Sequence, residues 1–275
     1  MLNYFGYGSN MDIVSLRAKG VEPRASRQAR LQGWRLAFNV AHYFTHEGGV
    51  GNIVRTDNPE DVVHGVLHCC SDEDLGKLDA VEAYGVGYDR VEVELLTEKG
   101  AETALAYIGM DGFIDDSCLP TRRYLNILIR GAEAAGLEPV YVDRLRAHPL
   151  HQRPVYPRFD FPSQPSVRYN AETLAQQRHL TALAGAVFDM RDARWQHEHL
   201  IGLFGGRDMT LWHLRRLDSS DGSESEQDLA GNRFTDEQRT YLNEYLHEYL
   251  REYRYAGRFE YDAIDKKSAE KGVTQ

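Results

Sequence analysis

Five of the nine prolines fall between Pro149 and Pro165, in the run HPLHQRPVYPRFDFPSQP. Proline fixes φ and has no N–H to donate, so this stretch is neither a helix interior nor a central strand. Without a repeat it reads as an extended connector. Tyr156, Phe159 and Phe161 let it lie along a surface. A chain of 275 residues exceeds the usual single domain. The cut therefore predicts a domain over residues 1–148, a Pro-rich linker over 149–167, a second domain over 168–262 and a disordered tail over 263–275. A second break is expected at residues 219–231, SSDGSESEQDLAG, read as a polar, acidic, mobile loop.

Hydrophobic residues make up 42% of the chain, enough for real cores, and the net charge is −10. The acidic balance argues against nucleic acid and anionic membranes, which need a basic face. No apolar run approaches the roughly 20 residues of a membrane span, and the first residues lack the pattern of a signal peptide. Cys69, Cys70 and Cys118 form no CxxC pair, so a cysteine zinc site is not expected. A reducing, cytoplasmic setting fits best.

Within the first domain, strands are expected at residues 2–5, 35–40, 52–55, 62–69, 91–96 and 103–107, and helices at 13–19, 72–83 and 122–135. Pro120 and Thr121 open the last helix, Tyr124, Leu128 and Ala132 form its stripe, and Gly136 ends it. Many strands with few helices predict an α+β fold around a curved, barrel-like sheet.

The chemistry is concentrated in two places. An apolar strand (Leu2, Tyr4, Phe5) runs into Gly6-Tyr7-Gly8-Ser9-Asn10, with a helix after it. Glycines permit a tight turn and close ligand approach, and free amides at a helix start attract anions. The loop is too short for a P-loop and has no Lys after its glycines, so it reads as a small cradle for a carboxylate. Farther on, Leu75, Leu78 and Glu82 share one helical face. Glu82 thus fits a solvated helix end or, alternatively, a carboxylate at the rim of an apolar pocket. In the second case desolvation would raise its pKa and suit it to proton transfer. Cys69 or Cys118 with a His could make a nucleophilic pair, but no local signature supports it. His42, His46, His64 and His68 read as structural or surface residues rather than metal ligands.

Together these residues resemble the gamma-glutamylcyclotransferase family. Tyr4-Phe5-Gly6-Tyr7-Gly8-Ser9-Asn10-Met11 is similar to its signature loop. Gly48 to Val54 resembles its glycine-rich turn and strand, and His64 to His68 its central strand. Leu78-Asp79-Ala80-Val81-Glu82 sits where the family keeps its catalytic glutamate, and Tyr124 with Gly131-Ala132 resembles its late helix. The resemblance covers residues 1–148. It implies a gamma-glutamylcyclotransferase, a carbon–nitrogen lyase that closes a gamma-glutamyl amide to 5-oxoproline, releases an amine or amino acid and needs no cofactor. Glu82 would be catalytic, while Tyr7, Gly8, Ser9, Asn10, Tyr88 and Tyr124 would bind substrate; no metal is expected. The spelling YGSN rather than YGSL points away from glutathione as the donor.

In the second domain, residues 183–190 (LAGAVFDM) read as a buried hairpin or strand, and a helix is expected after Asp208. Thr235 to Gln238 form a capping box before a long helix. Its Tyr241, Tyr245, Tyr249 and Tyr253 make a packing stripe. The GAVFDM and FGGRDMT runs resemble the haem/steroid-binding domain of the membrane-associated progesterone receptor family, a cytochrome-like α+β fold. Haem-binding relatives carry a tyrosine where this chain has Ile201, so the resemblance implies that fold without haem. His197 and His199 are read as surface histidines. The expected partner is a small gamma-glutamyl substrate, with neither nucleic acid nor a membrane span; a homodimer stays open. Two other functions remain: a non-catalytic gamma-glutamyl sensor, and a haem or hydrophobic-ligand module.

Overall fold

The structure, a computed structural model, describes residues 1–56 and 58–261. The expected tail at 263–275 lies outside the described residues. The chain forms two compact units: Met1–Val155 with Arg216–Gly222, and Tyr156–Arg215 with the residues from Ser223 onward.

The first unit contains β1 (Leu2–Gly6), α1 (Ile13–Ala18), β2 (Ala25–Gln32), β3 (Trp34–Ala41), β4 (Gly49–Arg55), β5 (Val62–Cys70), α2 (Asp74–Glu82), β6 (Tyr88–Thr97), β7 (Gly100–Gly109), α3 (Arg122–Ala134) and α4 (Pro139–Arg146). Five strands close into a barrel in the order β1-β5-β2-β6-β7, and β3 and β4 pair as a separate antiparallel ribbon. Alternation turns one side of each barrel strand inward. Phe5, Leu31, Val63, Leu67, Val93, Leu95, Ala104 and Ala106 fill the interior, each large side chain worth about 1.5–3 kcal/mol on burial. Cys70 is buried and Cys69 is not, the two pointing to opposite faces of β5.

Helix α3 lies over the opening loop. Its N-cap Thr121 accepts from the Tyr124 N–H at 3.2 Å, and its buried face carries Tyr124, Leu125, Leu128 and Ala132. The approach is closest at Gly131, where a Cβ would stand 2.5 Å from the Asp12 nitrogen and 2.7 Å from the Met11 carbonyl carbon. Alanine in place of a helix-interior glycine normally gains about 1 kcal/mol. Here the clash is with backbone, so Gly131→Ala is expected to destabilise by about 1–3 kcal/mol. A urea midpoint equal to or above the wild type would refute that contact.

The residues read as a mobile loop at 219–231 are instead ordered in two parts. Arg216–Gly222 packs into the first unit. There Arg123 donates to the Arg216 carbonyl at 2.8 Å, Arg130 donates to the carbonyls of Asp218 and Ser220, and Asn126 donates to the Asp218 carboxylate at 2.6 Å. The remainder forms a helix with a capping box between Ser225 and Asp228. Polar composition misleads here, because Ser220, Ser225 and Asp228 bond to backbone N–H groups and order the chain although many of its side chains face water.

The second unit has β8 (Arg168–Tyr169), α5 (Ala171–Ala175), β9 (Leu180–Leu183), β10 (Ala186–Asp189), α6 (Leu200–Phe204), β11 (Arg207–Asp208), α7 (Thr210–Leu214), α8 (Glu226–Ala230), α9 (Asp236–Glu252) and β12 (Arg254–Phe259), in a sheet of order β11-β9-β10-β12-β8. β9 and β10 form the expected hairpin through Ala184 and Gly185, both at positive φ, the geometry a two-residue turn demands. The Thr235–Gln238 capping box opens α9, and Tyr241, Tyr245, Tyr249 and Tyr253 are buried. His197 corrects the surface reading: it is fully buried, with Nδ1 2.8 Å from the Tyr253 hydroxyl. Ile201 is half-buried on α6.

Candidate active site

Strand β1 delivers the chain to Gly6, and Ser9 to Met11 then form a single tight 3₁₀ turn before α1. Asp12 caps α1 by accepting the Ser15 N–H at 3.1 Å. The sequence assigns Gly6 and Gly8 to a tight turn, but neither is among the residues at positive φ. They are required for close approach instead. A Cβ on Gly6 would lie 2.8 Å from the Asn10 carbonyl oxygen, and one on Gly8 would lie 2.9 Å from the Tyr124 hydroxyl. His68 on β5 holds the same carbonyl: its Nε2 is 2.8 Å from the Asn10 oxygen and its Nδ1 2.8 Å from Ser26 Oγ. Burial pushes this imidazole down to about 4, so at neutral pH Nε2–H donates to the carbonyl and Nδ1 accepts the Ser26 hydroxyl.

Glu82 is the last residue of α2. Leu78 anchors the helix in the core, and Ala83, at φ 50°, ends it in the left-handed region. A non-glycine residue there costs about 1–2 kcal/mol. That turn sends the chain to β6 and leaves the Glu82 side chain only 15% exposed. Its Oε1 accepts from Asn10 Nδ2 at 2.9 Å and lies 3.5 Å from Lys19 Nζ.

Opposite the carboxylate stands a wall of phenols. Tyr4, Tyr7, Tyr88, Tyr107 and Tyr124, with Gly8, Ser9, Asn10, Gly51 and Glu82, enclose a cleft of about 30 Å³. Tyr88 donates to the Gly51 carbonyl at 2.8 Å, and the Gly51 N–H donates to the Tyr124 hydroxyl oxygen at 2.9 Å. Burial raises every one of these phenols, Tyr124 to about 12, with the Gly51 and Ser9 amides pulling the other way. All five are therefore neutral at pH 7. The Gly51 amide donates to the Tyr124 oxygen and the Ser9 amide favours the same phenol's ionised form, the influence that donors of an anion cradle exert.

Each site residue expected from sequence, namely Tyr7, Gly8, Ser9, Asn10, Glu82, Tyr88 and Tyr124, lines this one cleft. The sequence reading missed Tyr4, Tyr107 and Gly51. Tyr4 and Tyr107 look like ordinary strand core until β1 and β7 pair and bring their rings to 5.9 Å. Lys19, behind the lining, carries no local signal, and His68 is legible only as part of the central strand. Among the described residues, no three or more His, Cys, Asp or Glu side chains gather as a metal site, and no helix is long and apolar enough to cross a membrane.

The sequence model of the family described as "Gamma-glutamyl cyclotransferase, AIG2-like" matches residues 4–125. The gamma-glutamylcyclotransferase of Homo sapiens is 30% identical over 148 residues, covering 52% of this chain and 77% of that protein. The gamma-glutamyl cyclotransferase gliK of Claviceps purpurea is 29% identical over 147 residues, covering 50% and 66%. A solved structure titled "Gamma-glutamyl cyclotransferase" superposes with a TM-score of 0.49 at 25% identity, over 56% of this chain and 92% of the other. Through its N-terminal half, which carries the loop, the glutamate and the barrel that joins them, the chain belongs to the gamma-glutamyl cyclotransferase, AIG2-like family.

Proposed function

We propose that the first unit cyclises a gamma-glutamyl amide to 5-oxoproline and releases the amine or amino acid, with no cofactor. The observation that carries this reading is the half-buried Glu82 carboxylate facing the Tyr7–Asn10 turn across a cleft lined by neutral phenols. The nucleophile and electrophile belong to one molecule, so the enzyme mainly has to fold its substrate. Oriented intramolecular attack is worth about 7–11 kcal/mol of barrier.

The protons then need a carrier. The substrate's alpha-ammonium loses two protons as it becomes the lactam N–H, and the leaving nitrogen gains two as it departs as an ammonium. Glu82 takes each proton from one nitrogen and hands it to the other, which is worth about 10²–10⁴-fold. The new C–N bond forms at the side-chain carbonyl carbon as the old amide bond breaks. The substrate carboxylate, an anion like those bound by backbone nests, takes the place of the Tyr124 hydroxyl on the Ser9 and Gly51 amides, and Tyr7 and Tyr88 line the glutamyl chain. A cleft of about 30 Å³ has room for a water or two, so Tyr124 swings aside when substrate enters.

For the second unit we propose a cytochrome-like fold that does not bind haem. An axial ligand must be His, Cys, Met or Tyr. Ile201 is none of these, His197 bonds the Tyr253 hydroxyl and His213 bonds the Tyr249 hydroxyl at 2.9 Å.

A panel of gamma-glutamyl amino acids, gamma-glutamyl amines and glutathione, assayed for 5-oxoproline, tests the assignment. At least one amide is expected to give 5-oxoproline and free amine in equal amounts. Release of glutamate in place of 5-oxoproline would mean hydrolysis and overturn it.

A further inference from the structure

Lys19 ends α1, and its side chain is 5% exposed. A lysine so buried is rare unless it is paired. Its ammonium donates to Asn10 Oδ1, lies 3.4 Å from Ser9 Oγ and stands 3.5 Å from Glu82 Oε1. Asn10 is the node of this cluster. Its Nδ2 donates to Glu82 Oε1 at 2.9 Å and to the Tyr4 hydroxyl at 2.6 Å.

An ammonium has three donors and no acceptor. The Asn10 atom facing it must therefore be the amide oxygen, which turns the NH₂ group toward Glu82. Among the described residues, Glu82 Oε1 receives the hydrogen bond from Asn10 and no group donates to Oε2. One carboxylate oxygen is tethered and the other is left for the substrate. We infer that Lys19 is a positioning residue for the cyclisation, a cation that fixes the Asn10 amide so that Glu82 is anchored through Oε1 and moves protons through Oε2. This rests on the reading of Glu82 as the proton carrier.

The charged groups around the ammonium are Glu82 at the end of α2, Asp12 at the N-cap of α1, and Arg216 from the segment packed into this unit. Burial lowers Lys19 most, Glu82 opposes it and Arg216 adds to it, bringing the amine down to about 8. A neutral amine tolerates either orientation of the Asn10 amide, so the anchor on Glu82 loosens as pH rises past that value.

The test compares kcat and KM from pH 6 to 10 for wild type, Lys19→Met, Lys19→Arg and Glu82→Gln, on the fastest dipeptide of the panel. Taking each variant as a ratio to wild type cancels the titration of the substrate's own amine. Lys19→Met is expected to lose about 10- to 100-fold in kcat, the scale of a misplaced catalytic group, with KM little changed and without the alkaline limb near pH 8. Lys19→Arg, charged throughout, is expected to retain most of the rate and move that limb upward by more than a unit. If both variants keep the wild-type limb, the inference is overturned. If Lys19→Met does not fold, the Lys19→Arg profile alone decides, an unmoved limb being the negative result. A fully active Glu82→Gln would overturn the underlying reading. An inactive Glu82→Gln beside Lys19 variants indistinguishable from wild type would overturn the role of Lys19 alone.

Discussion

Glu82→Gln is expected to lower kcat at least about 100-fold while leaving KM nearly unchanged. Glutamine keeps the side chain's shape and can still meet Asn10, so the cleft and its tyrosines stay in place. It cannot accept a proton from an ammonium at neutral pH. The split between kcat and KM separates a chemical role from a binding one: lost binding would appear in KM, whereas lost proton transfer appears in kcat. Single-turnover formation of 5-oxoproline is the direct measurement. A Gln variant with the wild-type rate would assign the proton chemistry to another group.

Arg123→Met is expected to be strongly destabilising. Glu47 is 1% exposed, and Arg123 Nη2 lies 2.5 Å from its carboxylate. Burial alone would raise this acid, but Arg123, His46 and His42 together hold it well below the usual carboxylate range. Removing one partner of a buried pair costs about 3–5 kcal/mol, because the other charge is left in a poor solvent. Substituting both should cost less than the single change, so Arg123→Met with Glu47→Gln should recover part of the loss. The pH dependence carries a sign. In the wild type the depressed pKa of Glu47 contributes stability above its unfolded value, and that contribution fades as pH falls through the folded one. Without the guanidinium, burial dominates and raises the carboxylate, so as pH falls the gap between variant and wild type should begin to narrow above about pH 4.5 and keep narrowing toward pH 4. Denaturant midpoints at pH 7 and pH 4 measure both effects. A variant within about 1 kcal/mol of wild type at pH 7 would sink the argument, since that is the range of an exposed pair.

Much of the first unit could be read from local patterns. The late helix announced itself through Thr121, the Tyr124–Leu128–Ala132 stripe and Gly136, and α3 runs Arg122–Ala134. Glu82 was legible because Leu75 and Leu78 fix the helical face on which it lies. Strand β2 was not legible. In ASRQARLQ only Ala29 and Leu31 turn inward, and the outward residues are as polar as those of a loop, although β2 sits between β5 and β6 and closes the barrel. Its alternation spans too few apolar positions to register as a period. Helix α4 was missed for a related reason, since Pro139 at its first turn reads as a breaker unless it is recognised as an N1 residue. The tyrosine wall escaped because strand pairing, a long-range fact, makes Tyr4 and Tyr107 neighbours. The burial of His197 depends in the same way on Tyr253, 56 positions away.

The stretch Arg216–Gly222 has a consequence for synthesis. Chains emerge from the ribosome N-terminus first, at roughly 5–20 residues per second, and leading domains tend to fold before the later ones are made. Here Arg123, Arg130 and Asn126 meet acceptors that are translated after residue 215. The barrel can therefore assemble early, but this face of α3 stays incomplete for several further seconds of elongation. The nascent chain passes through a stage at which the cleft exists and its brace has yet to be made.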